Sequence, residues 1–268
     1  MITDAVHAAD ARLAHASDTL VGCDPVRDII GEINQDAAYA VQSLGIARRI
    51  AAGRRVVGRK IGLTSVVVQN QFGVRSPDYG VLMDDMMLDD RQSVDLARFI
   101  APRVEAEVAF VLGHDLESPT SHVADVIRAT EFVLPAIEIV DSRIAGWDIR
   151  ITDTISDNAS GGALVLGTTP RKLDGFDLSA VGMSLEFDGE PVSTGSGVAC
   201  LGNPIIAVAW LARAVARHGQ PLRAGEVVLS GALGPMVAAQ SGVYRARLDG
   251  LGEVRVDFAA ASTEGARA

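Results

Sequence analysis

Residues 103–110 read RVEAEVAF, an apolar, strand-like segment that contains two acids. Side chains on a β-strand alternate between its two faces, so Glu105 and Glu107 project from the same face. Two carboxylates on one half-buried face repel each other and are poorly solvated. The pattern therefore requires a positive partner on that face.

Two kinds of positive partner fit this strand. The simpler one is Arg103, which lies on the same strand face as Glu105 and offers an ion pair. The other is a divalent cation, which neutralises several converging carboxylates at once. A cation needs a third acid, and Glu138 is the candidate because LPAIEIV again places one carboxylate among apolar residues. Ligands that are all oxygen favour Mg²⁺ or Mn²⁺ over Zn²⁺, but spacing alone leaves both interpretations open.

The composition describes an acidic chain with enough apolar residues for a substantial core. With 268 residues, 48% of them hydrophobic, it is long enough for one large domain or two small ones. A net charge of -10 argues against a nucleic-acid partner, which needs clustered Lys and Arg. Cys23 and Cys200 fit no metal or disulfide pattern, which is typical of a reducing compartment. The N-terminal residues predict neither a signal peptide nor a membrane span, so we expect a cytoplasmic protein without a membrane partner.

The periodicity of apolar residues divides the chain into two regions. Residues 1–55 are predicted to be a helical N-terminal region, and residues 56–262 a β domain that carries the candidate site. Because strands and helices do not alternate regularly, the predicted class is α+β with a mixed, mostly antiparallel sheet. Helices are expected over 2–16, 35–52, 121–133 and 204–218, and strands over 56–63, 104–112, 136–142, 163–167, 183–189, 226–231, 243–250 and 253–259.

Three more residues are candidates for chemistry. Lys60, in VVGRKIGLTS, is either solvated beside Arg59 or directed into a pocket where burial lowers its pKa. Asp78, in SPDYG, is either a turn residue or an acid–base group held on a loop. Ser160, in DNASGG, either makes local backbone hydrogen bonds or holds a substrate oxygen where glycines allow close approach. Taken singly, each residue favours the structural role.

Taken together, the segments resemble one family. In order and spacing, from about residue 27 to residue 258, the chain is similar to the 2-oxopent-4-enoate (2-hydroxypenta-2,4-dienoate) hydratases. These belong to the hydratase/decarboxylase branch of the fumarylacetoacetate hydrolase superfamily. The resemblance implies the superfamily's β-sheet roll, preceded by a smaller helical region, in a homo-oligomer. The segments that carry it are GRRVVGRKIGLTS, FGVRSPDYGVL, PRVEAEVAFVLGHDL, VLPAIEIVDSRI, ITDTISDNASGG, CLGNP and PLRAGEVVLSGALGPMV.

The resemblance also implies a role for each candidate residue. Lys60 and Asp78 become the catalytic pair, and Ser160 becomes a substrate-binding residue. The three strand acids become the ligands of a Mg²⁺ or Mn²⁺ ion, and this ion would explain two glutamates on one strand face. No organic cofactor is expected, because the chain lacks GxGxxG and GxxxxGK[ST] motifs. The expected metal ligands are Glu105, Glu107 and Glu138.

The activity implied is hydration of 2-hydroxypenta-2,4-dienoate to 4-hydroxy-2-oxopentanoate, in the catabolism of aromatic or steroid rings after meta-cleavage. Our hypothesis is that Lys60 and Asp78 transfer protons and activate water, with interchangeable roles. Ser160 would fix the substrate carboxylate or an oxyanion.

Three other functions are also compatible with the sequence. Decarboxylation of 4-oxalocrotonate shares most of the motifs and agrees with Asp141 in EIVDSR, whereas SGALGPMV and GRRVVGRKIGLT favour the hydratase. C–C hydrolysis of an acylpyruvate would need a histidine-assisted water, and no histidine lies in the segments around Lys60, Asp78 or Glu138. A subunit without turnover, docked on a neighbouring pathway enzyme, would need neither Lys60 nor Asp78.

Overall fold

The computed structural model describes residues 3–65, 69, 74 and 76–259, so the predicted region limits at residues 1 and 262 lie outside the described residues. The helices are α1 Asp4–Thr19, α2 Arg27–Ile30, α3 Gln35–Ala51, α4 Val123–Ala129, α5 Ile151–Ser156 and α6 Pro204–Arg217. The strands are β1 Val56–Gly62, β2 Asp78–Met83, β3 Met87–Leu88, β4 Ser93–Asp95, β5 Arg103–Leu112, β6 Thr130–Val140, β7 Gly161–Leu166, β8 Gly182–Phe187, β9 Glu190–Ser196, β10 Val227–Ala232, β11 Val237–Ala238, β12 Gly242–Leu248 and β13 Gly252–Ala259.

Two β-sheets form the centre of the fold. The larger has the strand order β2-β1-β10-β5-β6-β7-β3, with β11 paired to β5, and the smaller has the order β4-β13-β12-β8-β9. Among the described strands the parallel pairs are β1 with β10, β3 with β7 and β4 with β13, and the other neighbours are antiparallel. The α+β class with a mixed, mostly antiparallel sheet is therefore confirmed.

The main core contains residues from both sheets and from α6. Val108 of β5, Ile137 of β6 and Val256 of β13 all belong to this core and are fully buried. The segment Gly197–Arg217 is apolar and long enough to span a membrane by length and composition. However, Leu211 and other α6 side chains pack into the core, and this packing accounts for the helix's apolar character.

The N-terminal helices pack on the β domain through a second apolar cluster. Leu13 of α1 and Val41 of α3 share this cluster with Ile151 and Ile155 of α5. The Gln42 side chain of α3 also donates hydrogen bonds to the carbonyls of Tyr79 on β2 and Ile155 on α5, at 2.8 and 3.0 Å. The helical region therefore supports the elements around the candidate site, and its status as a separate domain stays a prediction.

The helix predicted over 121–133 was wrong at its C-terminal end, and the short helix α5 was missed. The helix predicted over 121–133 ends at Ala129, and the chain continues directly into β6. Residues 130–134, TEFVL, are rich in β-branched and aromatic side chains, and their pairing with β5 outweighs the helical spacing. The short helix α5 was missed because all six of its residues are buried, so its sequence shows no amphipathic period.

Candidate active site

The register of β5 and β6 brings the three predicted acids together. Glu105 and Glu138 lie directly opposite each other across this antiparallel pair, and Glu107 follows on the same face of β5. One carboxylate oxygen from each of the three glutamates lies within 4.8 Å of the others. Because like charges directly opposite in a sheet destabilise it, the cluster requires compensation.

The burial of these carboxylates increases the need for a positive charge beside them. Glu107 and Glu138 are 0% and 1% exposed. Glu107 Oε2 accepts a hydrogen bond from the Gly231 amide at 2.7 Å, but Glu107 Oε1 and both Glu138 oxygens accept none from the described residues. Buried polar atoms normally have partners, and carboxylate oxygens are the ligands that hard divalent cations prefer. The donor set therefore fits Mg²⁺ or Mn²⁺.

The pKa values of the three glutamates also fit a bound divalent cation. Burial, followed by the nearby Glu138 carboxylate, raises the pKa of Glu105 to about 7. Burial and the same neighbour raise the pKa of Glu107 well above its ordinary value. Burial also raises the pKa of Glu138, although the Lys60 ammonium opposes this change. Near neutral pH the metal-free cluster retains protons that a bound cation would displace.

Lys60 lies on β1 with its ammonium inside this acidic environment. The side chain is almost fully buried, and its Nζ donates a hydrogen bond to the Ala159 carbonyl at 3.0 Å. The same Nζ lies 3.3 Å from Glu138 Oε1, which is within ion-pair distance. Burial lowers the pKa of Lys60, but the surrounding carboxylates outweigh it, so the net pKa is raised. The expectation of a lowered pKa was therefore wrong for the metal-free site, and Lys60 is an ammonium there.

Asp78 is the first residue of β2 rather than a turn residue. It lies opposite Gly62, where a Cβ atom would approach Asp78 Oδ1 to 2.2 Å, so the glycine makes room for the carboxylate. Asp78 Oδ2 accepts a hydrogen bond from Thr154 Oγ1 at 3.0 Å, and Oδ1 accepts none from the described residues. Burial raises the pKa of this carboxyl group against the opposing effects of Lys60 and Thr154.

Ser160 follows α5 and precedes β7, and it is 4% exposed. Its Oγ donates a hydrogen bond to Asp157 Oδ2 at 3.4 Å, and Ser160 lines the same cavity as Lys60 and Asp78. Sequence reasoning missed Thr154 and the Ala159 carbonyl, which contact Asp78 and Lys60. Both residues belong to ITDTISDNASGG, and their closeness to Ser160 in the sequence was the signal that could have identified them as site residues.

These groups surround a cavity of about 450 Å³, large enough for a small organic acid. Its polar lining residues are Lys60, Thr64, Ser65, Asp78, Glu105, Thr154, Ser160 and Thr194. The rest is largely apolar, with Val140, Trp147, Ile149, Leu233, Pro235 and Met236. All five histidines are within the described residues and none lines this cavity, which argues against histidine-assisted C–C hydrolysis.

Two residues considered from the sequence have structural roles here. The Arg103 guanidinium lies 4.3 Å from the centre of the Trp147 ring and makes no ion pair with Glu105, so the within-strand pair is wrong. The Asp141 carboxylate accepts hydrogen bonds from the amides of Ile100 and Ala101, at 3.0 and 2.7 Å. Asp141 therefore gives no support to a decarboxylase.

Comparison with known proteins identifies the family of this chain. Residues 64–259 match the fumarylacetoacetate (FAA) hydrolase C-terminal family. The chain is 55% identical over 260 residues to the TodF product hydratase of Pseudomonas putida strain F1, covering 97% of each chain. It is 56% identical over 235 residues to the 2-keto-4-pentenoate hydratase of Paraburkholderia xenovorans LB400, covering 87% of each.

A solved structure has the same fold over almost the whole chain. It is the 4-oxalocrotonate decarboxylase of Pseudomonas putida G7 in complex with magnesium and adipate, with a TM-score of 0.91 and 34% identity. The alignment covers 96% of this chain and 99% of the decarboxylase. The chain therefore belongs to the fumarylacetoacetate hydrolase family and, by its higher identity to the hydratases, to their branch of it. The resemblance found in the sequence motifs is confirmed.

Proposed function

We propose that this chain is a metal-dependent hydro-lyase that adds water to 2-hydroxypenta-2,4-dienoate, the enol of 2-keto-4-pentenoate, or to a close homologue. The product is 4-hydroxy-2-oxopentanoate. The observation that carries the proposal is the convergence of Lys60, Asp78 and Glu105 at one cavity, where Glu105 belongs to a cluster of three carboxylates with the buried Glu107 and Glu138. The higher sequence identity of the chain to the two hydratases supports hydration over decarboxylation. We place the enzyme in cytoplasmic ring catabolism, as a homo-oligomer that works beside neighbouring pathway enzymes.

Three glutamates would hold the cation in this proposal: Glu105, Glu107 and Glu138. When bound, Mg²⁺ or Mn²⁺ supplies Lewis-acid stabilisation of negative charge on the substrate's 2-oxygen. Lys60, which lies 3.3 Å from Glu138, places a second positive charge at the same end of the cavity. A substrate carboxylate is therefore oriented toward this end, and its hydrocarbon tail toward the apolar lining.

Lys60 and Asp78 supply the proton transfers. In the first step the 2-hydroxyl proton is removed and a proton is delivered to C5, giving the 2-oxo-3-enoate. In the second step water forms a bond to C4, loses a proton, and C3 gains one. In the first step Asp78 Oδ1 is the base, because it accepts no hydrogen bond from the described residues, and the Lys60 ammonium is the donor. In the second step the neutral Lys60 amine takes the proton from water and the protonated Asp78 carboxyl group delivers one to C3, which restores both groups. General acid–base groups of this kind typically contribute about 10²–10⁴-fold.

Ser160 holds a substrate oxygen. Ser160 lines the cavity from the segment that also delivers the Ala159 carbonyl to Lys60. A hydrogen bond from Ser160 to the substrate carboxylate would orient the diene between Lys60 and Asp78. Such positioning accelerates reactions because the reacting atoms are held near their reactive geometry.

A direct assay tests the proposal. Freshly prepared 2-hydroxypenta-2,4-dienoate is incubated with the purified protein, with and without Mg²⁺ or Mn²⁺, while the diene absorbance and the product are followed. We expect metal-dependent formation of 4-hydroxy-2-oxopentanoate. No conversion of the dienoate, together with CO₂ release from 4-oxalocrotonate, would instead establish the decarboxylase. Inactivity with both substrates would favour a subunit without turnover.

Metal binding is expected to stabilise the protein more at pH 8 than at pH 6. Folding raises the pKa values of the three glutamates. The protonated glutamates therefore contribute their full stability to the metal-free protein below the ordinary glutamate pKa. This contribution is lost as the pH rises past about 7, the pKa of Glu105. A cation restores this stability, by about 2.7 kcal/mol at 100 times its Kd. The Tm of chelator-treated protein, with and without Mg²⁺ at matched ionic strength, checks this. An equal or smaller Mg²⁺ effect at pH 8 would contradict it.

Replacing Thr154 by valine is expected to lower kcat/KM about tenfold. The change removes the hydroxyl that donates to Asp78 Oδ2 at 3.0 Å, and a hydrogen bond to a charged group is worth about 1.5–3 kcal/mol. The matched control is Thr130→Val, which removes a hydroxyl bonded to the Val126 carbonyl away from the cavity. Steady-state kinetics and Mg²⁺ titration of both variants make the comparison. Equal losses of activity in the two variants would argue against a positioning role for Thr154.

A further inference from the structure

The turn that carries Ser160 has an unusual backbone. Asn158, Ala159 and Ser160 have φ values of 55°, 50° and 52°, so three successive non-glycine residues are left-handed. L-residues with a Cβ adopt this conformation rarely and seldom in succession, and such strain persists only where surrounding contacts over-determine it. The contacts that hold this turn therefore indicate which residues fix its conformation.

The Asn158 side chain clamps the turn to β2. Its Oδ1 accepts a hydrogen bond from the Val81 amide at 2.7 Å, and its Nδ2 donates one to the Val81 carbonyl at 2.9 Å. The side chain thus pairs with an edge strand as another strand would. The neighbouring Gly80 permits this approach, because a Cβ there would lie 2.4 Å from the Asn158 carbonyl oxygen.

A second anchor holds the turn from the other side. The Arg143 Nη1 donates hydrogen bonds to the carbonyls of Asp141 and Gly161, at 2.6 and 3.1 Å, and its Nε pairs with the Asp157 carboxylate. Arg143 therefore holds the residues on both sides of the turn, and the Asn158 side chain ties the turn to β2. β2 is also the strand that begins with Asp78.

The turn delivers two groups to the site. The Ala159 carbonyl accepts a hydrogen bond from Lys60 Nζ at 3.0 Å, and Ser160 lines the cavity. We infer that Asn158 is a positioning residue for the proposed hydratase reaction: by clamping the left-handed turn to the Asp78 strand, it sets Lys60, Asp78 and Ser160 in register. The inference rests on the proposed function and assigns Asn158 no contact with substrate.

Asn158→Gly tests this clamp. Glycine adopts a positive φ without strain, so the variant removes the two hydrogen bonds without adding backbone conflict. We expect kcat to fall 10- to 100-fold, since small misplacements of catalytic groups have effects of this size. Asn158→Asp keeps the acceptor for the Val81 amide and loses the donor, so its kcat should lie between those of the Gly variant and the wild type. Asn34→Ala, which removes an exposed asparagine that caps α3, is the matched control and should keep wild-type kcat.

The metal titration separates positioning from general disruption. The three glutamates are held by the pairing of β5 with β6, so the Mg²⁺ affinity of Asn158→Gly, read from Tm shifts, should stay within twofold of wild type. A kcat within twofold of wild type would overturn the inference. So would a fall in kcat matched by an equal fall in Mg²⁺ affinity, because that pattern describes a generally disrupted fold.

A binding measurement keeps this test independent of the proposed activity. If the wild type does not hydrate the dienoate, the proposed function fails, but binding of 2-oxopentanoate can still be followed by the fluorescence of Trp147, which lines the cavity. We expect Asn158→Gly to weaken this binding at least tenfold, because Ser160 would no longer be held in place. Binding equal to that of wild type would overturn the clamp.

Discussion

Lys60→Met is expected to lower kcat by about 10²–10⁴-fold, the range for loss of a general acid or base. The variant keeps the length of the buried stem but removes the ammonium that lies 3.3 Å from Glu138 and donates to the Ala159 carbonyl. It therefore removes both the proton donor and the positive charge that orients the substrate carboxylate. Steady-state kinetics on the dienoate with saturating Mg²⁺ measure the effect.

The other lysine provides the control. Lys172 is 63% exposed on its side chain and pairs with Glu131 at the surface, so Lys172→Met should keep wild-type kcat. Circular dichroism and Tm in the presence of Mg²⁺ establish that Lys60→Met is folded. A folded Lys60→Met variant with wild-type turnover would show that our assignment of the proton donor is wrong.

Glu107→Gln is expected to have opposite effects on activity and on metal-free stability. The amide keeps the shape of the side chain but is a poor cation ligand, so Mg²⁺ affinity should fall by more than the 10–100-fold typical of lost outer-shell partners. Turnover and the stabilisation by Mg²⁺ should be lost with it. Without metal, the same change removes a buried charge from three crowded carboxylates, so the Tm at pH 8 should rise.

The gain in metal-free stability is the more demanding part of this prediction. As the pH falls, protonation removes the charge from the wild-type carboxyl group, whose pKa burial raises, and the difference between the two proteins should shrink. Glu190→Gln, an exposed substitution on β9, is the control and should change neither Tm nor Mg²⁺ binding. A Glu107→Gln variant that is less stable than wild type at pH 8 without metal would contradict the account of a strained carboxylate cluster.

Local sequence patterns predicted the candidate residues because each stands out from its neighbours. A carboxylate or ammonium in an apolar strand needs a reason to be buried, and the apolar neighbours of Glu105, Glu138 and Lys60 in the sequence are enough to raise this question. Asp78 and Ser160 are weaker signals, since acids and serines near Pro and Gly are usual turn residues. Their roles came from the ordered set of motifs rather than from either residue alone.

The order of strands and helices was largely predictable, because apolar periodicity reports which face of an element is buried. It failed where tertiary contacts overrode local preference: β6 begins at Thr130 because that segment pairs with β5, and α5 is buried on all sides. The raised pKa of Lys60 could also not be predicted from its neighbours in the sequence. Burial lowers it, but carboxylates brought close by the fold raise it, and their positions depend on sheet register.

Residue identity and local pattern thus indicate which groups the chain has for chemistry, and they predict the β region, residues 56–262, that carries these groups. Sheet register alone places Glu105 opposite Glu138, and the left-handed turn alone brings the Ala159 carbonyl to Lys60. Both involve residues far apart in sequence, 33 positions between the first pair and 99 between the second. Contacts over such separations arise from the packing of whole strands, which no local window of sequence records.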